Sequence, residues 1–204
     1  DGKCHLLVLG DVPRERLSVA ARAYVASGEA NGHHRGYKCA IRLPAWWNVP
    51  GPWVPDAFLL RQIHDGPRII ANRAGATCTD TIHRLRTKPG VDAASLAVAS
   101  LNSVTFAFAE IRGRSYGGGV LELEPTEAES LPVPALTKGE RLDANEFDLK
   151  TRREGVAATL AEVDRLVLAP AGLGASEIQT LRGIWKKLSA RRGARRQRAD
   201  APPG

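Results

Sequence analysis

The apolar positions divide the chain into a longer N-terminal stretch of mixed periodicity and a C-terminal stretch of purely helical spacing. Residues 5–10, HLLVLG, form a short apolar run closed by Gly10 and Pro13, which reads as a buried strand. Over residues 15–27, Leu17, Ala20, Ala21, Tyr24 and Val25 recur at helical intervals, and Gly28 is a fitting stop. Asn-Gly and Arg-Gly turn signals precede an expected strand over residues 37–43, after which proline-punctuated aromatics exclude a regular helix. Buried strands are predicted over residues 68–72, just after Gly66-Pro67, and 81–86, with residues 73–79 as the loop between them. Asp92 is a good N-cap, and Leu101, Val104, Phe108 and Ile111 repeat at helical spacing. This predicts one helix over residues 93–112, ended by Gly113.

Beyond the glycines, VLELEP alternates, which predicts a strand with one wet face carrying Glu122 and Glu124. TEAESLPVP reads as a short helical turn and a proline-bounded exit, and residues 137–150 are polar and linker-like. Val156, Leu160, Val163 and Val167 mark a helix closed by Pro170. Ile178, Leu181, Trp185 and Leu188 mark a second, opened by the capping-box match Ser176-Glu177-Ile178-Gln179. The expectation is an α+β recognition body over residues 1–136, a linker over 137–150, a helical hairpin over 151–192 and a basic, disordered tail over 193–204. No internal repeat is visible.

Charge changes this picture more than composition does. The 204 residues are 43% hydrophobic, enough for a core, and the formal net charge is +7. Seven basic residues from Lys186 onward face only Asp200, which leaves the remainder close to neutral. That remainder is locally polarised: residues 61–88 hold six basic side chains against Asp65 and Asp80, while Glu122, Glu124, Glu127 and Glu129 form an acidic cluster. A basic stripe on a neutral body suggests a polyanion partner, and a solvated tail is the alternative. The four glutamates are read as a solvent-facing strand and turn whose charge disfavours contact with DNA.

No apolar run approaches the length needed to cross a bilayer, and no signal segment opens the chain, so a cytoplasmic location is expected. The absence of methionine, with Asp1 first, is read as a cut N-terminus. Cys4, Cys39 and Cys78 are too far apart for a zinc cage, and His33, His34 and Cys39 lack a fourth ligand, so no metal is expected.

The stretch GRSYGGG, residues 113–119, contains G-x-S-x-G and could suggest a serine nucleophile. A nucleophile turn needs a strand before the serine and a helix after it. Here the order is reversed, and no histidine follows His83. A phosphate loop of the Walker type or a dinucleotide fingerprint also lacks its context, and GLGAS, residues 172–176, reads as a turn between helices. What remains is a loop with Arg112 and Arg114, a hydroxyl, an aromatic ring and the three glycines of residues 117–119, suited to a polymer phosphate; a flexible turn with both arginines in water is the other reading. Trp46, Trp47 and Trp53 could stack on bases, but such tryptophans more often close a core edge.

The segment SLNSVTFAFAEIRGRSYGGGVLELEPTEAESLPVP resembles the C-terminal part of gamma-class adenine-N6 DNA methyltransferases, with Arg112 in place of the commoner asparagine. GYKCAIRLPAWWNVP, RIIANRAGATCTDTIHRL, EVDRLVL and LGASEIQTLRGIWKKLSARR are similar to further parts of that region, so the likeness spans nearly the whole chain. The resemblance implies a target-recognition domain of a restriction-modification or phage-defence enzyme in a bacterium or archaeon. It would bind double-stranded DNA for a methyltransferase catalytic domain in the same polypeptide or a separate subunit. That catalytic domain would use S-adenosylmethionine. The Asn/Asp-Pro-Pro-Tyr/Phe motif and the glycine-rich cofactor loop after a strand are missing from this sequence, so no methylation is expected from it alone. On this reading Arg112, Arg114, Ser115, Tyr116, Gly117 and Gly118 grip phosphates. Asn72, Arg73, Thr77, Thr79, Arg84 and Arg86 lie on or beside a base-reading loop. The alternative function is a module that docks a partner protein.

Overall fold

The computed structural model describes residues 7–10, 12–42, 45–49, 53–134, 136 and 142–199. It divides into two compact units, residues 1–53 and 54–204, and each is described by itself.

In the N-terminal unit, the described part of the expected first strand, residues 7–10, is irregular, and residues 5 and 6 lie outside the described residues. Helix α1, Val19–Ala30, starts where the Ser18 side chain accepts from the Ala21 amide at 3.2 Å. It runs past Gly28 rather than stopping there, because the glycine serves packing: a Cβ at that position would meet the Trp46 ring at 2.6 Å. Trp46 lies edge-on to Trp47 and donates to Glu29, which Arg14 holds through two 2.8 Å bonds, so these rings close the edge of α1. The strand expected over residues 37–43 is instead a short helix, α2, Tyr37–Ala40; Leu43 lies outside the described residues. The amides of Cys39 and Ala40 both reach the Gly36 carbonyl, and among its described residues this unit has no strand for an alternating segment to pair with.

The larger unit carries two small antiparallel sheets and a helical layer, an α+β arrangement as expected. Strands β1, Ala57–Leu60, and β2, Gln62–Ile63, are separated only by Arg61, where the chain passes from one sheet to the other. β3, Ile69–Ala71, and β4, Ile82–Leu85, fall within the predicted segments and flank β1 in the order β3-β1-β4. The central strand β1 had no strand prediction, since AFLLRQI is too short to distinguish strand from buried helix by its pattern.

The helix predicted over residues 93–112 is two helices, α3, Ala93–Ala99, and α4, Ser103–Arg112, bent by 76°. The break belongs to Asn102, which is fully buried. Its amide donates to the Ala99 carbonyl at 2.6 Å, closing α3, and its oxygen accepts from the Thr105 amide at 2.9 Å, opening α4. The apolar spacing continues across the corner because both helices face the core.

Strand β5, Arg114–Ser115, pairs with β6, Leu121–Glu122, which also pairs with β2, making the second sheet β2-β6-β5. Glu122 of VLELEP is therefore not on a wet face, while Glu124, beyond the strand, is partly exposed. β6 is the central strand, and Glu122 is 9% exposed beneath Gln62 and Arg61 at 3.0 and 2.9 Å. Glu124 also pairs with Arg61, and Glu127 pairs with Arg114. Helix α5, Pro125–Glu129, is the predicted short turn. Residues 144–150, read as linker, form the start of α6, Ala144–Glu154, whose N-terminus is capped by the Asp143 carboxylate.

Helix α7, Val156–Val163, passes into one π-turn, Asp164–Leu168. Helix α8, Ala175–Ala199, is longer than the hairpin arm expected and continues through residues 193–199, which were read as disordered tail. Its capping interaction is displaced two residues from the sequence match: Glu177 reaches back to the Gly174 amide at 2.7 Å. Phe106 and Trp185 meet edge to face at 5.3 Å and, with Leu160, join α4, α7 and α8 in one buried cluster. No single helix among the described residues is long and apolar enough to cross a membrane.

Candidate nucleic-acid interface

The turn after α4 is built from the helix outward. Gly113 ends α4 in an extended conformation, and its missing Cβ is essential: that atom would lie 2.7 Å from the Ala109 carbonyl and 2.8 Å from Leu121. The chain then enters β5, with Arg114 opposite Glu122 and Ser115 opposite Leu121. The Tyr116 amide bonds the Val120 carbonyl at 2.9 Å, so Gly117–Gly119 is a closed tight turn, with Gly118 in the left-handed region.

The two ends of this stretch have opposite character. Arg112, Ser115 and Tyr116 are exposed, Tyr116 at 48%, and no side-chain bond holds Arg112 or Ser115 among the described residues. Arg114 remains exposed while its Nε and Nη2 donate to Glu127 at 3.1 and 2.8 Å. That bond holds the Glu127 carboxyl below the usual carboxylate range and raises the guanidinium. Gly119, in contrast, is buried, and its carbonyl accepts from Arg192. The same guanidinium donates to the His64 carbonyl at 2.7 Å and to both oxygens of Glu110 at 3.2 and 2.6 Å. With side chains 5% and 3% exposed, Arg192 and Glu110 form a buried pair that pins the base of the turn to α4, α8 and the segment after β2.

The second group of predicted residues lies on the other sheet. Asn72 uses its amide within the fold: it donates to the Pro55 and Ala76 carbonyls at 2.7 and 2.9 Å and accepts from the Ala76 amide at 3.0 Å. Arg73 donates to Asn145 of α6 at 2.7 Å, and Thr79 bonds Thr81. Thr77 is exposed on the same loop. Arg84 lies on the edge strand β4 opposite Phe58, and Arg86 follows it; both are exposed. The structure thus gathers Arg112, Arg114, Ser115, Tyr116, Gly117 and Gly118 on one turn and spreads the remaining six over the loop and edges of the β3-β1-β4 sheet.

Arg192 and Glu110 were not singled out from the sequence. A signal was present: the apolar stripe Ile178, Leu181, Trp185, Leu188 extends by one more turn to position 192, placing that arginine on the buried face. The same holds for Asp164, 1% exposed, which accepts from the Ser103 amide and hydroxyl at 2.7 and 2.6 Å and from Arg182 at 2.6 Å. It supports the N-terminus of α4 from the π-turn. Among the described residues no three side chains of His, Cys, Asp or Glu gather as a metal site.

The family model for the C-terminal domain of the type II methyltransferase M.Eco57I matches residues 1–168. No curated protein and no solved structure matches the chain. The matched span includes the arginine-bearing turn and both sheets and ends at the last residue of the π-turn, before α8.

Proposed function

Since the chain belongs to the family of the type II methyltransferase M.Eco57I C-terminal domain, we propose that it is the DNA-binding target-recognition domain of a site-specific adenine-N6 methyltransferase. Family membership carries the reading. The rigid-based turn that presents Arg112, Arg114, Ser115 and Tyr116 to solvent supports it, because phosphate contacts require cations and donors held on a fixed frame. An enzyme that works on a base within a duplex must first rotate it out of the stack, at a cost of a few kcal/mol, and a module gripping the flanking duplex offsets that cost. Methyl transfer and S-adenosylmethionine belong to a separate catalytic domain. The triple glycine of this chain joins strand β5 to strand β6 and closes a hairpin, whereas a nucleotide loop must leave a strand and open a helix.

A second reading, docking of a partner protein, is favoured by one observation: Ile70, 46% exposed, pairs with Phe58 on the outer face of the β3-β1-β4 sheet. The two readings separate in one experiment. Binding of a fluorescent duplex across a salt series gives a steep negative slope of log affinity against log salt if phosphates are gripped, whereas an apolar protein interface tolerates salt. Selection from a randomised duplex pool is expected to return a defined site containing adenine. Absence of duplex binding at low salt would sink the DNA reading.

A further inference from the structure

A cleft of about 680 Å³ lies behind the glycine turn, lined by Gly118 and Gly119, the segment around Arg68, the start of α7 and the face of α8 that carries Trp185 and Lys186. One of its lining residues carries a donor without an acceptor. Trp185 is 8% exposed, and its indole N–H is buried with no hydrogen-bond partner among the described residues. An indole nitrogen can only donate, so this group calls for an acceptor from outside the chain. Helix α7 begins at the cleft with Gly155 as N-cap and no side chain capping it, so its first amides and the positive end of its dipole face an unfilled role.

The charge in the cleft has the matching sign. Arg192 is neutralised by Glu110, but Arg68 and Lys186 make no side-chain bond among the described residues, and the lining holds a single carboxylate, Asp65. Two uncommitted cations, a buried unmet donor and an uncapped helix N-terminus in one concave site describe an anion site. The space exceeds that of a lone ion and admits a phosphate with its attached sugar. We infer that this cleft seats a backbone phosphate of the bound duplex, with Arg68, Lys186 and the Trp185 indole as its donors. The inference rests on the DNA-binding reading and adds α8, which lies beyond the residues matched by the family, to the interface.

The test uses the whole 204-residue chain labelled with ¹⁵N, its Trp185 indole resonance assigned by Trp185→Phe. Inorganic phosphate should shift that resonance where chloride at equal ionic strength does not, and a duplex should shift it further. An Arg68→Gln/Lys186→Gln variant removes only uncommitted side chains and should melt as the wild type does. It should bind duplex roughly tenfold more weakly at low salt, with a salt slope shallower by about one to two. Wild-type duplex affinity in that variant, with an unmoved indole resonance, overturns the cleft site while leaving DNA binding by the chain intact. A resonance that responds to phosphate in a chain that binds no duplex makes the source a free phosphate and overturns the DNA assignment. Silence of the resonance in both titrations, in a chain that binds no duplex, overturns the cleft site and the DNA reading together.

Discussion

The exposed arm and the buried base of the glycine turn are each organised by one arginine and one glutamate, but in different surroundings. Arg114 meets Glu127 with its side chain 56% exposed, where solvent screens the attraction; Arg192 meets Glu110 with both side chains almost wholly out of water. The first pair leaves a cation available to another anion. The second has no such freedom and acts as a clamp, since Arg192 also satisfies the Gly119 and His64 carbonyls. The largest effect expected is therefore from Arg192→Ala, which strands the Glu110 carboxylate and two carbonyls. A loss of about 3–5 kcal/mol is expected, a fall of roughly 10 °C in Tm, read by calorimetry. Arg192→Lys keeps the charge but not the planar fork, and should fall between the alanine variant and the wild type. A wild-type Tm for Arg192→Ala would remove the contrast between clamp and arm.

Two glycines of the same stretch sharpen the contrast on a smaller scale. Gly113→Ala drives a Cβ into the Ala109 carbonyl and Leu121, so the end of α4 or strand β6 must move, at about 1–3 kcal/mol. Gly117→Ala meets nothing within 4 Å and should alter stability by no more than about 0.5 kcal/mol. Denaturant midpoints of the two variants compare them directly, and equal midpoints would mean the arm is as constrained as its root.

How much of this was legible depended on whether the deciding interaction was local. Strands β3 and β4 and the start of α3 at Asp92 were readable because turn signals, apolar runs and caps are local. The corner at Asn102 was not: the apolar period runs through it, and the asparagine that breaks the helix looks in sequence like one polar residue on a helix face. The segment 37–43 alternates like a strand, but a strand needs a neighbour, and its own i→i+3 and i→i+4 bonds decide the outcome. The acidic cluster misled for a related reason. Alternation shows that Glu122 and Leu121 face opposite sides, and only the pairing of β6 between β2 and β5 shows that the glutamate side is covered. Of the proposed interface, the residues of the exposed turn could be named from the sequence around GRSYGGG, whereas the clamp joins residues 64, 110, 119 and 192 and has no contiguous motif.

Acid should act first on the pairs around the exposed arm. The Gln62 amide, with Arg61 behind it, lowers the Glu122 carboxyl below its ordinary 4.5, and Arg114 does the same for Glu127. A depressed folded-state value means that the stabilisation is complete above 4.5 and is lost as pH falls through the lower, folded value. The Tm should therefore hold down to about pH 4.5 and decline below it, and Gln62→Ala should flatten part of that decline. An identical acid limb in Gln62→Ala would show that Glu122 does not drive it.

The smallest effect on stability, and the most informative for function, is expected at the tip of the arm. Arg112 makes no side-chain bond among the described residues and Arg114 makes one pair that solvent screens, so Arg112→Ala/Arg114→Ala should melt within about 2 °C of the wild type. If both side chains meet phosphates, binding releases about one counterion fewer for each arginine removed, and the salt slope should become shallower by about two across all duplex sequences alike. A change confined to one base position would instead make these arginines readers of base edges, because phosphate contacts carry no sequence information. Unchanged affinity and slope would leave the clamp supporting a turn that DNA does not touch, and would move the interface to Arg73, Arg84 and Arg86 on the neighbouring sheet.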